Sequence, residues 1–91
     1  MTLSLPSSAL SVSQKQSKVV GLGQLVIADA GTELVTYGLG SCIGLALWSS
    51  SRQMGALCHI VLPSSRGRPF DPANAAKYVD WAVPQALRAF A

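Results

Sequence analysis

A cysteine and a histidine in this sequence have the surroundings expected of a nucleophile and its base. Cys42 lies in the glycine-punctuated run YGLGSCIG, and His59, the only histidine, stands 17 residues later in a second apolar stretch. A thiolate is made reactive by a neighbouring imidazolium and by backbone N–H groups directed at it. The two residues therefore predict nucleophilic attack by sulfur, provided that the fold brings them together.

The apolar segments 43–48 and 55–62 predict two β-strands of a hairpin that would position the pair. With a two-residue turn at Ser50–Ser51, Cys42 lies opposite His59, and directly opposed Cβ atoms are about 4.5–5.5 Å apart. A slip of one residue would place the two side chains on opposite faces. The first strand has apolar residues on both faces, which is typical of a central, covered strand.

Other interpretations of these residues stay open. A free cysteine on an apolar strand is often a small buried hydrophobe, and a lone histidine on an apolar face is often a core residue. Cys58 alternates away from His59, so we expect it to pack in the core. The residues after Cys42 continue as a strand, which excludes the nucleophile elbow of α/β-hydrolases. Without Cys-x-x-Cys spacing or a complete dinucleotide fingerprint, we expect neither a metal nor another cofactor.

The composition limits the class of protein. The 91 residues allow one small domain, with 49% apolar and 12% charged residues, against about 25% charged on average. This apolar excess favours a chain whose surface is partly covered by more chain or by a partner. The net charge of +3 is scattered, so we expect no nucleic-acid partner. No apolar run suits membrane insertion, and a cytoplasmic location is expected because no secretory signal precedes the two cysteines.

The remaining segments predict an α+β fold, with a mainly antiparallel β-sheet and a helix packed on it. We expect a flexible tail over 1–18 and a domain over 19–91, with strands at 19–28 and 34–37 before the hairpin. A loop at 63–72 carries two arginines. Asp71 then caps a helix with Pro72 in its first turn, and Pro84 kinks or divides it. Its predicted core face is Tyr78, Val79, Ala82, Val83, Ala86, Leu87 and Phe90.

Three runs in this order resemble the chemoreceptor glutamine deamidases of bacterial chemotaxis, the CheD family. The runs are LGSC at 39–42, HIVLP at 59–63 and KYVDWA at 77–82. The similarity extends from about Val19 to Phe90 and implies the N-terminal half of a two-layer or three-layer α/β sandwich. Family members generally continue through further strands and another helix, so we expect this chain to be truncated.

The resemblance also implies a reaction and its residues. A particular receptor glutamine would be hydrolysed to glutamate and ammonia, with Cys42 as nucleophile, His59 as general base and Thr36 as the group that orients the imidazole. Backbone N–H groups from Gly40 and Ser41 to Cys42 are expected to stabilise the oxyanion, while the Ser41 side chain points away and is not a nucleophile. The implied partners are methyl-accepting chemoreceptors and a response-regulator phosphatase of the chemotaxis pathway. A non-catalytic chemotaxis binding module and an inactive truncated fragment are the alternatives.

Overall fold

The computed structural model describes residues 1–4 and 16–90, which form two small β-sheets and one α-helix. The elements are β1 (Thr2–Ser4), β2 (Gln16–Val19), β3 (Leu25–Asp29), β4 (Thr32–Val35), β5 (Ile43–Ser49), β6 (Met54–Ile60) and α1 (Val79–Arg88), with a 3₁₀ turn at Pro72–Asn74. The first sheet has the order β1-β4-β2 and the second β3-β6-β5. Strands β2 and β4 pair in parallel and the other neighbours pair antiparallel. The predicted α+β class is confirmed.

The second sheet carries apolar side chains on both faces. Because successive residues of a strand alternate between faces, Leu57 of β6 packs towards the first sheet while Cys58 and Ile60 pack towards α1. Each face has its own buried cluster. One consists of Val20, Ala28, Leu34 and Leu57, and the other of Cys58, Ile60, Ala76, Ala82 and Ala86. Sheet, sheet and helix therefore form three layers.

The central strand of the second sheet is β6, whose residues from Gly55 to Ile60 are all buried. Its near-continuous apolar run agrees with burial on both faces. The prediction that the 43–48 segment is central is wrong, because β5 lies at the edge of the described sheet and Ile43 is 54% exposed. Strands β5 and β6 look alike in sequence, and only the pairing of β3 with β6 makes β6 the central strand and β5 the edge strand.

The hairpin register differs from the prediction by two residues. Gly44, rather than Cys42, lies opposite His59, because the connection between β5 and β6 is the four-residue segment Ser50–Gln53. Gln53 has a left-handed backbone (φ 53°), and its carbonyl accepts from the N–H of Ala30 at 2.9 Å. An even shift preserves the face of every residue, so Gly44 and Ala46 still share a face with His59.

Both ends of the segment expected to be a flexible tail, 1–18, pair with strand β4. Thr2–Ser4 pairs with β4 on one side, and Gln16–Val19 pairs with β4 on the other. The rest of the tail, 5–15, lies outside the described residues. The expected strand over 19–28 is interrupted, because a turn containing Gly23 (φ 72°) separates β2 from β3.

The segment predicted to be one helix forms a 3₁₀ turn at Pro72–Asn74 and a separate helix, α1, that begins at Val79. Asp71 caps only the 3₁₀ turn, accepting from the N–H of Ala73 at 3.0 Å, and α1 begins after Tyr78. Tyr78 is held in extended conformation by a parallel bridge to Leu62. Pro84 lies inside α1 without ending it. Among the described residues, no helix is long and apolar enough to cross a membrane.

The predicted core face of the helix is right only in part. Ala82 and Ala86 are buried against Cys58 and Ile60, and Tyr78 is buried just before the helix. Val83 and Leu87 are exposed instead, Leu87 by 58%. The buried stripe is therefore narrow and consists of small residues, which lets α1 approach the sheet closely.

Candidate active site

Thr36 and His59 meet at one end of the core between the two sheets. Thr36 directly follows β4 and His59 lies near the end of β6, so each strand delivers one side chain to the same place. The Thr36 Oγ1 atom lies 2.7 Å from Nδ1 of His59, and both residues are buried. The sequence resemblance paired these positions, and the structure places them in direct hydrogen-bond contact.

The hydroxyl of Thr36 determines which imidazole nitrogen carries hydrogen. It donates to the carbonyl oxygen of Val20 at 2.7 Å. A hydroxyl has one hydrogen, so its contact with His59 requires Nδ1 to be the donor. Nε2 is then the basic nitrogen of the neutral ring. Val20, Thr36 and His59 together form a hydrogen-bond chain that orients the imidazole.

Nε2 of His59 is buried and has no hydrogen-bond partner among the described residues. His59 is only 1% exposed. Buried polar atoms without a partner are uncommon in proteins, and each calls for a physical reason. A basic nitrogen held free in a fixed direction suits a group that accepts a proton during a reaction.

Cys42 lies at the end of a tight turn that leads into β5. Its N–H donates to the carbonyl of Leu39, which closes the turn around Gly40 and Ser41. Gly40 has a left-handed φ of 45°, a backbone conformation that residues other than glycine rarely adopt. Positive φ at the second residue of a four-residue turn but not at the third, here Ser41, is the type II′ pattern. The backbone geometry of the turn thus requires glycine at position 40, two residues before Cys42.

The turn leaves two backbone donors unused. In the described part of the chain, no residue accepts from the N–H groups of Gly40 and Ser41, whereas the N–H of Cys42 is engaged by Leu39. Of the donors expected from sequence, Gly40 and Ser41 are therefore available to an oxyanion. Cys42 is not available while the turn is closed.

Cys42 and His59 do not form a hydrogen bond in this structure. Their segments are neighbours, because Gly44 lies opposite His59 and Cys42 is two residues before it. Cys42 is partly exposed, and its sulfur is not a hydrogen-bond partner of the imidazole Nε2 among the described residues. Catalytic hydrogen bonds are often long in unliganded enzymes and tighten with substrate.

The second cysteine has a different environment. Cys58 is fully buried between β6 and α1. Burial raises the pKa of its thiol from 9.0 to about 11, because the apolar surroundings disfavour the thiolate. The expectation that Cys58 packs in the core agrees with this position. Within residues 1–4 and 16–90, no three His, Cys, Asp or Glu side chains are grouped to hold a metal ion.

Comparison with known proteins gives these residues a context. No protein-family model matches the chain. Curated relatives do match it: the probable chemoreceptor glutamine deamidase CheD of Symbiobacterium thermophilum is 45% identical over 82 residues, which cover 86% of this chain and 48% of the relative. The chain belongs to the CheD family. Proteins of the same description from Clostridium novyi and Moorella thermoacetica are 41% and 43% identical over 68 residues, or 75% of this chain.

The chain spans less than half the length of these CheD relatives, from 40% to 48%. Within that part of the CheD sequence, the structure brings Thr36 to His59 and keeps Cys42 on a neighbouring turn. One further residue at the site was not found from sequence, because Val20 contributes only its backbone carbonyl, which no side-chain pattern signals. Gly44 was expected to keep this face open, but its position directly opposite His59 required the correct hairpin register.

Proposed function

We propose that this chain carries the reactive residues of a protein-glutamine deamidase that acts on bacterial chemoreceptors. The observation that carries the proposal is the Val20–Thr36–His59 hydrogen-bond chain, which leaves Nε2 buried and without a partner among the described residues. His59 lies on β6, which pairs with β5, the strand that follows the Cys42 turn. The CheD relatives are named as probable chemoreceptor glutamine deamidases, and that name supplies the substrate in this proposal.

The proposed reaction begins with transfer of the Cys42 thiol proton to Nε2 of His59. The thiolate then attacks the carboxamide carbon of a receptor glutamine, and the oxygen of that group becomes an oxyanion. In the proposed reaction the N–H groups of Gly40 and Ser41, which have no acceptor among the described residues, donate to this oxygen. Loss of one such donor in other enzymes typically costs about 2.7–4 kcal/mol of transition-state stabilisation.

His59 then acts as an acid and afterwards as a base. The imidazolium gives its proton to the departing nitrogen, which leaves as ammonia and produces a thioester on Cys42. Nε2 next removes a proton from water, which attacks the thioester carbon. Collapse of this intermediate releases glutamate and returns the proton to the thiol. Throughout, the Nδ1–H bond to Thr36 keeps Nε2 directed at the reacting atoms.

Thiol labelling tests the central pair directly. We expect Cys42 to be alkylated much faster than Cys58 at neutral pH, because Cys58 is buried and its pKa is raised to about 11. Replacing His59 by Ala should slow labelling of Cys42 and leave the slow rate at Cys58 unchanged. Peptide mass mapping after timed iodoacetamide treatment gives both rates.

The matched control is His59→Gln, which keeps a polar side chain of similar size without a basic nitrogen. If Cys42 in either variant reacts as fast as in the parent protein, His59 does not activate the thiol. A receptor-binding module without catalysis would show that result together with unchanged receptor binding. Near-ultraviolet circular dichroism verifies that both variants remain folded.

A further inference from the structure

The face of β5 next to His59 contains a gap at Gly44. Gly44 lies directly opposite His59, and directly opposed residues of an antiparallel pair project from the same face. A Cβ atom built on Gly44 would clash with Sδ of Met1 and would lie 3.3 Å from Cδ1 of Leu39. We call this space, bounded by Gly44, Leu39 and His59, the Gly44 slot. In this structure the sulfur of Met1, a residue that is 44% exposed, lies in it.

Strand β1 holds Met1 in that position. The amino group of Met1 donates to the carbonyl of Thr36 at 2.7 Å, and the N–H of Thr36 donates to the carbonyl of Met1 at 2.8 Å. Leu3 anchors the same segment by packing against the cluster between the sheets. Met1 is therefore bound to the residue that orients His59.

The shape and polarity of the Gly44 slot indicate what it takes. Methionine is unbranched, and its side chain is about as long as that of glutamine, so a space that accepts one sterically accepts the other. The wall at Leu39 is apolar, which suits the methylene groups of either side chain. The unpartnered Nε2 of His59 on the same face supplies the polar group, and glutamine, unlike methionine, has a polar group to meet it.

We infer that the Gly44 slot is the subsite for the side chain of the substrate glutamine and that β1 inhibits the protein by keeping Met1 in it. This inference rests on the proposed function, because it assigns the slot to that substrate. The N-terminal segment and the substrate then compete for one space. If a segment occupies such a site about nine-tenths of the time, the fraction of molecules with an open site is roughly tenfold lower than without the segment.

The test compares Cys42 accessibility in full-length variants. Met1→Gly, prepared by cleavage of an N-terminal tag, empties the slot and keeps β1. Leu3→Asp releases β1, because the carboxylate opposes packing of residue 3 against the core. Thr2→Asp is the matched control, since it adds the same charge at the neighbouring position, where the side chain is exposed. Iodoacetamide, which carries a primary amide, is the probe.

We expect Cys42 to react about tenfold faster in the Met1→Gly and Leu3→Asp proteins than in the parent and the Thr2→Asp control. Equal rates in the parent and Met1→Gly overturn the inference, and this variant retains Leu3 and its core contact. A nuclear Overhauser effect between the Met1 methyl group and the Leu39 methyl groups should be present in the parent. Its absence also overturns the inference.

Failure of the inference is separable from failure of the proposed function. Faster labelling without any release of ammonia from receptors supports occupancy of the slot by Met1 and contradicts the deamidase proposal. Ammonia release that is equally fast in the parent and Met1→Gly, together with equal labelling, supports the deamidase proposal and contradicts the inhibitory role of β1.

Discussion

The direction of one hydrogen atom determines whether His59 can serve as a base. Thr36 donates its only hydrogen to Val20 and must accept from Nδ1 of His59, so Nε2 is the free nitrogen. The backbone carbonyl of Val20 is not visible in the sequence, whereas burial of the ring was among the interpretations that the apolar strand left open. The family resemblance implied that Thr36 orients the imidazole, whereas the direction of its two hydrogen bonds follows from the geometry.

Replacing Thr36 by Val tests this orientation. The side chains are similar in shape, but the variant leaves Nδ1 of His59 and the carbonyl of Val20 without their partner, which typically costs about 1–3 kcal/mol of stability. We expect the rate at which Cys42 is labelled with the help of His59 to fall about 10- to 100-fold, because the variant loses part of what a general base contributes.

Thr36→Ser is the control, because it restores the hydroxyl and should restore most of the labelling rate. The ¹⁵N chemical shifts of His59 provide a readout that loss of stability alone would not change. The parent and Thr36→Ser should show hydrogen on Nδ1, and Thr36→Val should show a mixture of tautomers. A parent protein with hydrogen fixed on Nε2 would contradict the proton assignment.

The strands of the hairpin could be predicted from sequence, but their register could not. The connection at Ser50–Gln53 is longer than the common two-residue turn because Gln53 is bound to Ala30, a residue of the β3–β4 turn. This contact joins segments more than twenty residues apart, and local turn chemistry does not reveal it. The predicted face of His59 was nevertheless correct, because the register was wrong by two residues and an even shift keeps each side chain on its face.

The start of α1 has a similar long-range cause. The carbonyl of Lys77 accepts from the N–H groups of Val61 and Leu62 at 3.1 and 2.9 Å. These bonds hold 77–78 against the end of β6, so the helix cannot extend back to Asp71. The sequence signals at Asp71 and Pro72 were real, but they initiate a 3₁₀ turn.

Asp80 fastens the arginine-containing loop to α1, and this contact is predicted to depend on pH. Ser65 donates to the Asp80 carboxylate from its N–H at 2.8 Å and from its Oγ at 2.5 Å. These bonds lower the pKa of Asp80 below 3.8. A lowered pKa in the folded state means that the stabilisation is complete above the unfolded pKa and is lost as the pH falls through the folded pKa.

Asp80→Asn should therefore be less stable than the parent at pH 7, and the difference should shrink as the pH falls below 3.8. Urea denaturation across this range measures it. Ser65→Ala is the matched variant, because it removes the hydroxyl bond and keeps the backbone bond. A stability difference between parent and Asp80→Asn that stays constant in acid would show that the carboxylate is not the stabilising group.

The molecule leaves several large apolar side chains exposed on its surface. Tyr37 and Ile43, on either side of the Cys42 turn, are 70% and 54% exposed. The high apolar content of the sequence indicated such a surface, and the expectation that further chain or a partner covers it stays a prediction. The division into a tail and one deamidase-like domain stays a prediction as well.

The three-layer arrangement explains how so small a chain positions the site. Thr36 comes from the first sheet, His59 from the second, and Cys42 from the turn between them. Packing of Leu34 against Leu57 between the sheets fixes the separation of β4 and β6. The candidate site therefore depends on the core of the entire described fold rather than on the hairpin alone.

The most direct measurement of the proposed function is the mass of receptor glutamine peptides after incubation with the protein. We expect the parent to convert specific glutamines to glutamates with an equal yield of ammonia, and Cys42→Ala to abolish conversion while receptor binding persists. Cys58→Ala is the matched control and should remain active. Conversion that continues in Cys42→Ala, or that is absent from a folded parent protein that binds receptors, would contradict the proposal.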